Sequence, residues 1–143
     1  MTTATSLAQK HIETLVDDPA TWETLIDDDI EWELVYAPSL GHPARLSGRS
    51  EVNRHINWFR GAVERLKFYD VRVQEMADPD LAVAEVRAEA LVKSTGRVYR
   101  QEYLFILRSR NGKILKLREY FDPVKAATAM EIPLPGSDAD AGS

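Results

Sequence analysis

The sequence contains no cysteine, which excludes disulfides, thiolate metal sites and cysteine nucleophiles. Its only histidines are His11, His42 and His55, at no ligand spacing, so no histidine-rich metal site is expected. Basic residues are in deficit. Against 23 Asp and Glu there are 18 Lys and Arg, for a formal net charge of −5. The basic stripe that nucleic-acid binding needs to displace counterions is therefore not expected. No apolar run approaches the roughly 20 residues that span a bilayer, and residues 1–10 lack the charged-then-apolar plan of a signal peptide. A cytoplasmic protein with no nucleic-acid or membrane partner is the expectation.

What is present is ordinary for a globular protein: 143 residues, 44% hydrophobic and 29% charged, enough for one domain with one core. Leu7, Ile12, Leu15 and Val16 form an apolar stripe that predicts a helix over 6–16, ended by Asp17-Asp18-Pro19. A short helix over 22–26 and an acidic turn at 27–29 follow. Residues 30–36 alternate as a strand, with Ile30, Trp32, Leu34 and Tyr36 on one face. Residues 37–48 hold two prolines and two glycines and read as a loop across the mouth of whatever the sheet encloses. The strongest helix is expected over 50–66, with Val52, Ile56, Phe59, Val63 and Leu66 as its stripe. Strands over 67–76, 81–92, 98–108 and 113–121, joined by short turns, predict an antiparallel meander. Helices followed by a long sheet is the α+β plan, a single domain over 1–131, with 132–143 as a mobile tail. Both faces of the strand over 98–108 carry apolar residues, so a second cover is needed; a homodimer through the outer sheet face would supply it.

The last strand breaks its own pattern. Leu115, Leu117, Glu119 and Phe121 share the expected inner face, while Lys116 and Arg118 point the other way. A carboxylate there must be paired, protonated, or facing a cavity. A two-residue Asn111-Gly112 turn would set Leu104 opposite Glu119. A three-residue turn with a Gly112 bulge would set Tyr103 there, and it keeps one face uniformly apolar, so it is preferred. His55 lies three residues after Val52 and four before Phe59, at the border of the buried stripe. A histidine and a glutamic acid entering one apolar cavity form a candidate proton-transfer pair. Burial would raise the Glu119 pKa and lower that of His55; direct pairing would do the reverse. The competing structural reading is a Glu119 held by a core arginine such as Arg87 or Arg100. Trp32, Tyr36, Trp58, Phe59, Leu117 and Phe121 are expected to form core, cavity wall and substrate-binding surface. His42, beside a proline, reads as solvated. Glu85, Arg87 and Glu89 read as a charge ladder on one strand face.

Several short stretches carry a family resemblance: Leu46-Ser47-Gly48-Arg49, His55-Ile56-Asn57-Trp58, Tyr69-Asp70-Val71-Arg72-Val73, Asn111-Gly112-Lys113-Ile114, Arg118-Glu119 and Ile132-Pro133-Leu134-Pro135. Together with the order of elements they resemble SnoaL-like proteins of the nuclear transport factor two-like superfamily, which includes ketosteroid isomerases. Within that group the chain is most similar to phenazine biosynthesis A/B proteins. The resemblance implies a dimer of cone-shaped α+β barrels, each with a deep pocket, a small-molecule ligand and no metal or organic cofactor. In the phenazine proteins a histidine and a glutamic acid handle protons, at positions matching His55 and Glu119. A small polar residue of those relatives is Phe59 here, which implies a more apolar pocket. The expected function is acid/base catalysis on a small cyclic or polyketide-like carbonyl compound. Glu119, His55 and Tyr103 would be catalytic, with Tyr103 and Tyr36 donating to an oxyanion. The alternative is a non-catalytic binding or scaffold protein of the same fold.

Overall fold

The computed structural model describes residues 2–134. Three helices precede most of the sheet: α1 (Ala4–Thr14), α2 (Pro19–Leu25) and α3 (Gly48–Ala62). Thr3 opens α1 with a capping box, its hydroxyl accepting from Ser6 N at 3.1 Å. Asp18 and Pro19 open α2 as cap and first residue, so the residues expected to end one helix also begin the next. The strands are β1 (Ile26–Leu34), β2 (Arg45–Ser47), β3 (Val63–Glu75), β4 (Leu81–Val92), β5 (Val98–Arg110) and β6 (Lys113–Phe121). A final helix, α4 (Pro123–Met130), follows β6 directly.

The strands form one sheet in the order β2-β1-β6-β5-β4-β3. The meander from β3 to β6 is antiparallel as expected, and β1 joins β6 in parallel. The sheet stays open, and its concave face receives α1, α2 and α3, giving the expected α+β cone. Leu7, Trp22, Val52, Ile30 and Leu107 are among the fully buried side chains of that core. A smaller cluster lies at the other end, where Ala126 and Ala129 of α4 cover Val63, Val92 and Tyr99.

Several boundaries differ from the sequence reading. The helix expected over 50–66 ends at Ala62, and Val63 and Leu66 belong to β3. Their spacing suits a helix, but two bulges give β3 an irregular period, with Arg65 and Asp70 left-handed at φ of 55° and 52°. β1 starts at Ile26 and takes in the acidic run 27–29. Arg110 pairs with Asp27 and Asp29 at 2.9 and 3.0 Å, and Arg49 with Asp28 at 2.6 Å. α4 was not anticipated; Asp122 caps it and Pro123 begins it. Of the segment expected as a tail, residues 135–143 lie outside the described residues.

The β5–β6 register is a further correction. Asn111 and Gly112 form a two-residue turn, both left-handed at φ of 53° and 74°, as a hairpin of this type requires. The ladder then shifts between Arg108 and Ser109, because Leu115 is an extra residue on β6. Beyond the bulge, Phe105 faces Glu119 and Tyr103 faces Phe121. The bulge also turns Ile114, not Leu115, fully inward. The shift leaves parity intact from Leu117 onward, so Tyr103 and Glu119 still share the inner face, diagonally and not as a direct pair.

Candidate active site

The ends of β6 and α3 bring the chemistry together. Arg118 and Tyr120 flank Glu119 on the outer face, Arg118 paired with Glu33 at 3.3 Å and Tyr120 against Tyr36. Strand alternation then sends Glu119 inward, between Leu34 of β1 and Phe105 of β5. Two adjoining chambers lie between the sheet and its helices. An inner one of about 80 Å³ lies among α1, β1, α3 and the sheet. An outer one of about 720 Å³ opens beneath the 37–46 loop and α4. His55, Phe59, Tyr103 and Glu119 line both, and so stand where the two adjoin.

No described residue gives the Glu119 carboxylate an ion pair. Arg87 pairs with Asp70 and Glu102 at 3.5 and 3.6 Å, and Arg100 with Glu89 at 3.4 Å, all on the outer face as the expected charge ladder. The core-arginine reading is thereby removed. Part of the Glu119 surface remains open, but onto the chambers, and dense protein on every other side raises its pKa to about 8. The Trp32 indole N–H lies close enough to favour the charged form slightly, yet it makes no hydrogen bond of full geometry. Burial also lowers the pKa of His55, helped by His42 nearby. Of the two opposed effects foreseen for this pair, burial wins at both residues. At neutral pH the site holds an uncharged imidazole and a largely protonated carboxyl.

The Tyr103 hydroxyl bonds that of Tyr99 at 3.0 Å. Gln101 Nε2 donates to Tyr99 Oη at 3.0 Å and to the Asp122 carbonyl at 2.9 Å, while Gln101 Oε1 accepts from Asp122 N at 2.9 Å. Burial raises the pKa of both tyrosines, that of Tyr99 to about 12. This polar chain holds the junction of β5 and α4 beside the outer chamber. It went unread in the sequence, although Tyr99, Gln101 and Tyr103 fall on one strand face.

The other expected wall residues divide. Trp32 lines the inner chamber, and Trp58 and Phe121 the outer one. Leu117 is fully buried in the core and touches neither chamber. Tyr36 is also displaced. β1 stops at Leu34, and Tyr36 leaves the extended conformation at ψ of 5° to start a 3₁₀ turn. Its side chain is 43% exposed and stacks edge-on against Tyr120 on the far side of the sheet, so it cannot donate into the site. His42 is exposed, as expected, and stands at the rim of the outer chamber with its ring 6.3 Å from that of Trp58.

His11 is the residue the sequence reading missed. It is buried on α1 and lines the inner chamber. Its Nδ1 accepts from Trp22 Nε1 at 2.9 Å, and burial lowers its pKa to about 3. The spacing held a signal, since Leu7, His11 and Leu15 recur every four residues along one helix face. Arg60 lines the same chamber but is committed to the Leu15 carbonyl at the end of α1, with Nε at 2.8 Å. Among the described residues no cluster of three or more carboxylates and imidazoles could hold a metal ion.

Comparison with known proteins agrees with this architecture. The model of the SnoaL-like domain family matches residues 9–117. An uncharacterized PhzA/B-like protein of Pseudomonas aeruginosa is 34% identical over 95 residues, 66% of this chain and 66% of its own, so the match spans just under two thirds of each. The structure of a candidate isomerase from Bacillus subtilis superposes with a TM-score of 0.82 at 27% identity, covering 92% of this chain and 94% of that one. A candidate polyketide cyclase from Xanthomonas campestris pv. campestris shares the fold with a TM-score of 0.76 at 18% identity, over 88% of this chain and 95% of that one. The likeness to SnoaL-like and phenazine A/B proteins expected from the sequence is borne out.

Proposed function

The chain belongs to the SnoaL-like domain family, and from that premise we propose that it is an acid/base enzyme moving protons on a small cyclic or polyketide-like carbonyl compound. The observation that carries this reading is Glu119: a carboxyl facing an apolar chamber, without a cationic partner, its pKa raised to about 8. Such a group exchanges protons in either direction near neutral pH. The ionised carboxylate removes a proton from the carbon next to the carbonyl, and the C–H electron pair moves into an enolate. The same proton then returns to another carbon, as in isomerisation, or to a leaving oxygen, as in dehydration. His55, neutral and lining both chambers, anchors the substrate or carries a second proton. The names of similar proteins, isomerase and polyketide cyclase, fit this class of reaction.

The test is deuterium exchange at the α-carbons of a panel of cyclic ketones and enones in D₂O, followed by proton NMR. The wild-type protein should accelerate exchange, and Glu119→Gln should lose about 10²–10⁴-fold in rate. Equal rates in the two proteins would remove the proposal. Saturable ketone binding without exchange would instead establish a binding protein.

A further inference from the structure

The two chambers that Glu119 lines differ sharply in size, about 80 Å³ inside and about 720 Å³ outside. A cavity that holds benzene measures about 150 Å³, so the inner chamber is too small for a six-membered ring. By the same measure it takes a group of about three heavy atoms. Its walls do not spread to make room. Ile56, Val86, Phe105 and Trp32 are buried members of the main core, and the Trp22 bond holds His11. The outer chamber, by contrast, falls within the range of about 300–1,000 Å³ that holds drug-sized ligands.

Phe59 stands where the two adjoin. Of the four residues that line both chambers, it alone has a purely apolar side chain. Glu119 and His55 carry the proposed chemistry, and Tyr103 is tied to Tyr99. The Phe59 ring rests edge-on against Tyr99, with centroids 6.4 Å apart and planes at 76°. Tyr99 is in turn bonded to Tyr103 and to Gln101, each at 3.0 Å. On α3, Phe59 follows His55 by four residues and so shares its helix face. A ring backed by a hydrogen-bonded tyrosine keeps its place and sets the width of the junction.

We propose that Phe59 is the specificity-determining residue of this site, limiting what passes Glu119 into the inner chamber to a short, unbranched group. The substrate keeps its rings in the outer chamber, among Leu40, Trp58, Phe121 and Met130, and extends an acyl arm inward. This rests on the proton-transfer reading above and narrows its substrate class. The enolisable carbon joins a larger apolar body to a short acyl group, and Glu119 meets it where the chambers adjoin. A carbonyl built into a ring does not suit the site, because part of that ring would have to enter the inner chamber. Each methylene beyond what an apolar pocket accommodates is worth about 10-fold or more in rate.

The experiment compares three ketones in D₂O: 1-(2-naphthyl)propan-2-one, its branched homologue 1-(2-naphthyl)-3-methylbutan-2-one, and the ring ketone 2-tetralone. Exchange at the benzylic carbon is followed by proton NMR, each rate divided by that in buffer alone. The wild-type protein should favour the first ketone over the other two by about 10-fold or more. Phe59→Ala should cut that preference about 10-fold, and Phe59→Leu, which keeps an apolar wall, should cut it part of the way. Independently of exchange, intermolecular NOEs in the wild type should join the acetyl methyl to Ile56 and the naphthyl protons to Met130. In Phe59→Ala, 2-tetralone should gain NOEs to Ile56. A preference unchanged in both variants, naphthyl NOEs to Ile56 in the wild type, or no saturable binding at millimolar ketone would each overturn the inference. Exchange that needs Glu119 yet treats the three ketones alike would overturn the size limit alone. An acetyl methyl seated against Ile56, without exchange in any ketone, would support the size limit and overturn the proton-transfer reading instead.

Discussion

Glu119 and His55 both line the inner and the outer chamber, one from the sheet and one from α3, and burial drives both toward their uncharged forms. The titratable and polar groups that line a chamber with Glu119 are Tyr99 and Tyr103 from β5, His55, Glu51 and Arg54 from α3, Arg45 from β2, His42 from the 37–46 loop, His11 from α1 and Trp32 from β1, with Arg60 held away on the Leu15 carbonyl. Among the described residues no cation forms an ion pair with Glu119. A ¹³C titration of the Glu119 carboxyl should therefore have its midpoint near 8, displaced from the ordinary 4.5. Proton abstraction needs the ionised form, so the exchange rate should climb with pH and level off above about 8. A midpoint in the ordinary carboxylate range would remove the basis for catalysis.

The same burial leaves a mark on stability. For Glu119 the pKa is 4.5 unfolded and about 8 folded, so stability is undiminished below 4.5 and falls as pH rises to about 8. For His11 the values are 6.5 unfolded and about 3 folded, so stability is complete above 6.5 and is lost as pH falls toward 3. Together they predict a rise from about 3 to 4.5, a plateau to 6.5, and a decline toward 8. Urea unfolding across this range should show Glu119→Gln losing the decline and His11→Asn losing the acid-side rise. Curves that run parallel to wild type would contradict both assignments.

The sequence carried the inward turn of Glu119 because β6 alternates cleanly after its bulge, and a period of two needs no tertiary information. It carried His55 because α3 is strongly amphipathic. The bulge at Leu115 was not legible: strand offset depends on how β6 sits between β1 and β5, and no local residue announces it. α4 was legible in retrospect, since Asp122-Pro123 opens a helix as Asp18-Pro19 does. Tyr36 misled because alternation continues in the sequence after the strand has ended. His11 was obscured by its type, a polar residue within an apolar stripe, and only Trp22, eleven positions away, gives it a partner.

Gln101 should matter more to the fold than either tyrosine that it supports. Tyr103→Phe removes one hydroxyl and leaves Tyr99 bonded to Gln101, at about 1 kcal/mol. Gln101→Leu strands Asp122 N and takes the donor from the Asp122 carbonyl, while the Tyr99 hydroxyl keeps only Tyr103, for about 1–3 kcal/mol at each group left unpaired. Thermal unfolding should rank the variants in that order. Equal losses would mean that water replaces the amide and that the junction of β5 and α4 is wetter than its burial indicates.

We propose that the outer sheet face is the contact of a homodimer. Val83 lies beside Ile106 and Leu104 beside Tyr120 in the ladder, an apolar strip only half-buried in the single chain. Around it run Arg72–Glu85, Arg87–Glu102 and Arg118–Glu33, with both signs present along the rim. A two-fold copy can meet such a rim with opposite charges while covering the strip, whereas a partner of one dominant charge could not. Sedimentation should show a dimer at micromolar concentration. Ile106→Glu, which buries a carboxylate at the centre of the contact, should shift it to monomer. Because Ile106 faces away from both chambers, the Glu119 titration should persist in that variant. A wild-type monomer throughout the range would show that the strip stays open to solvent.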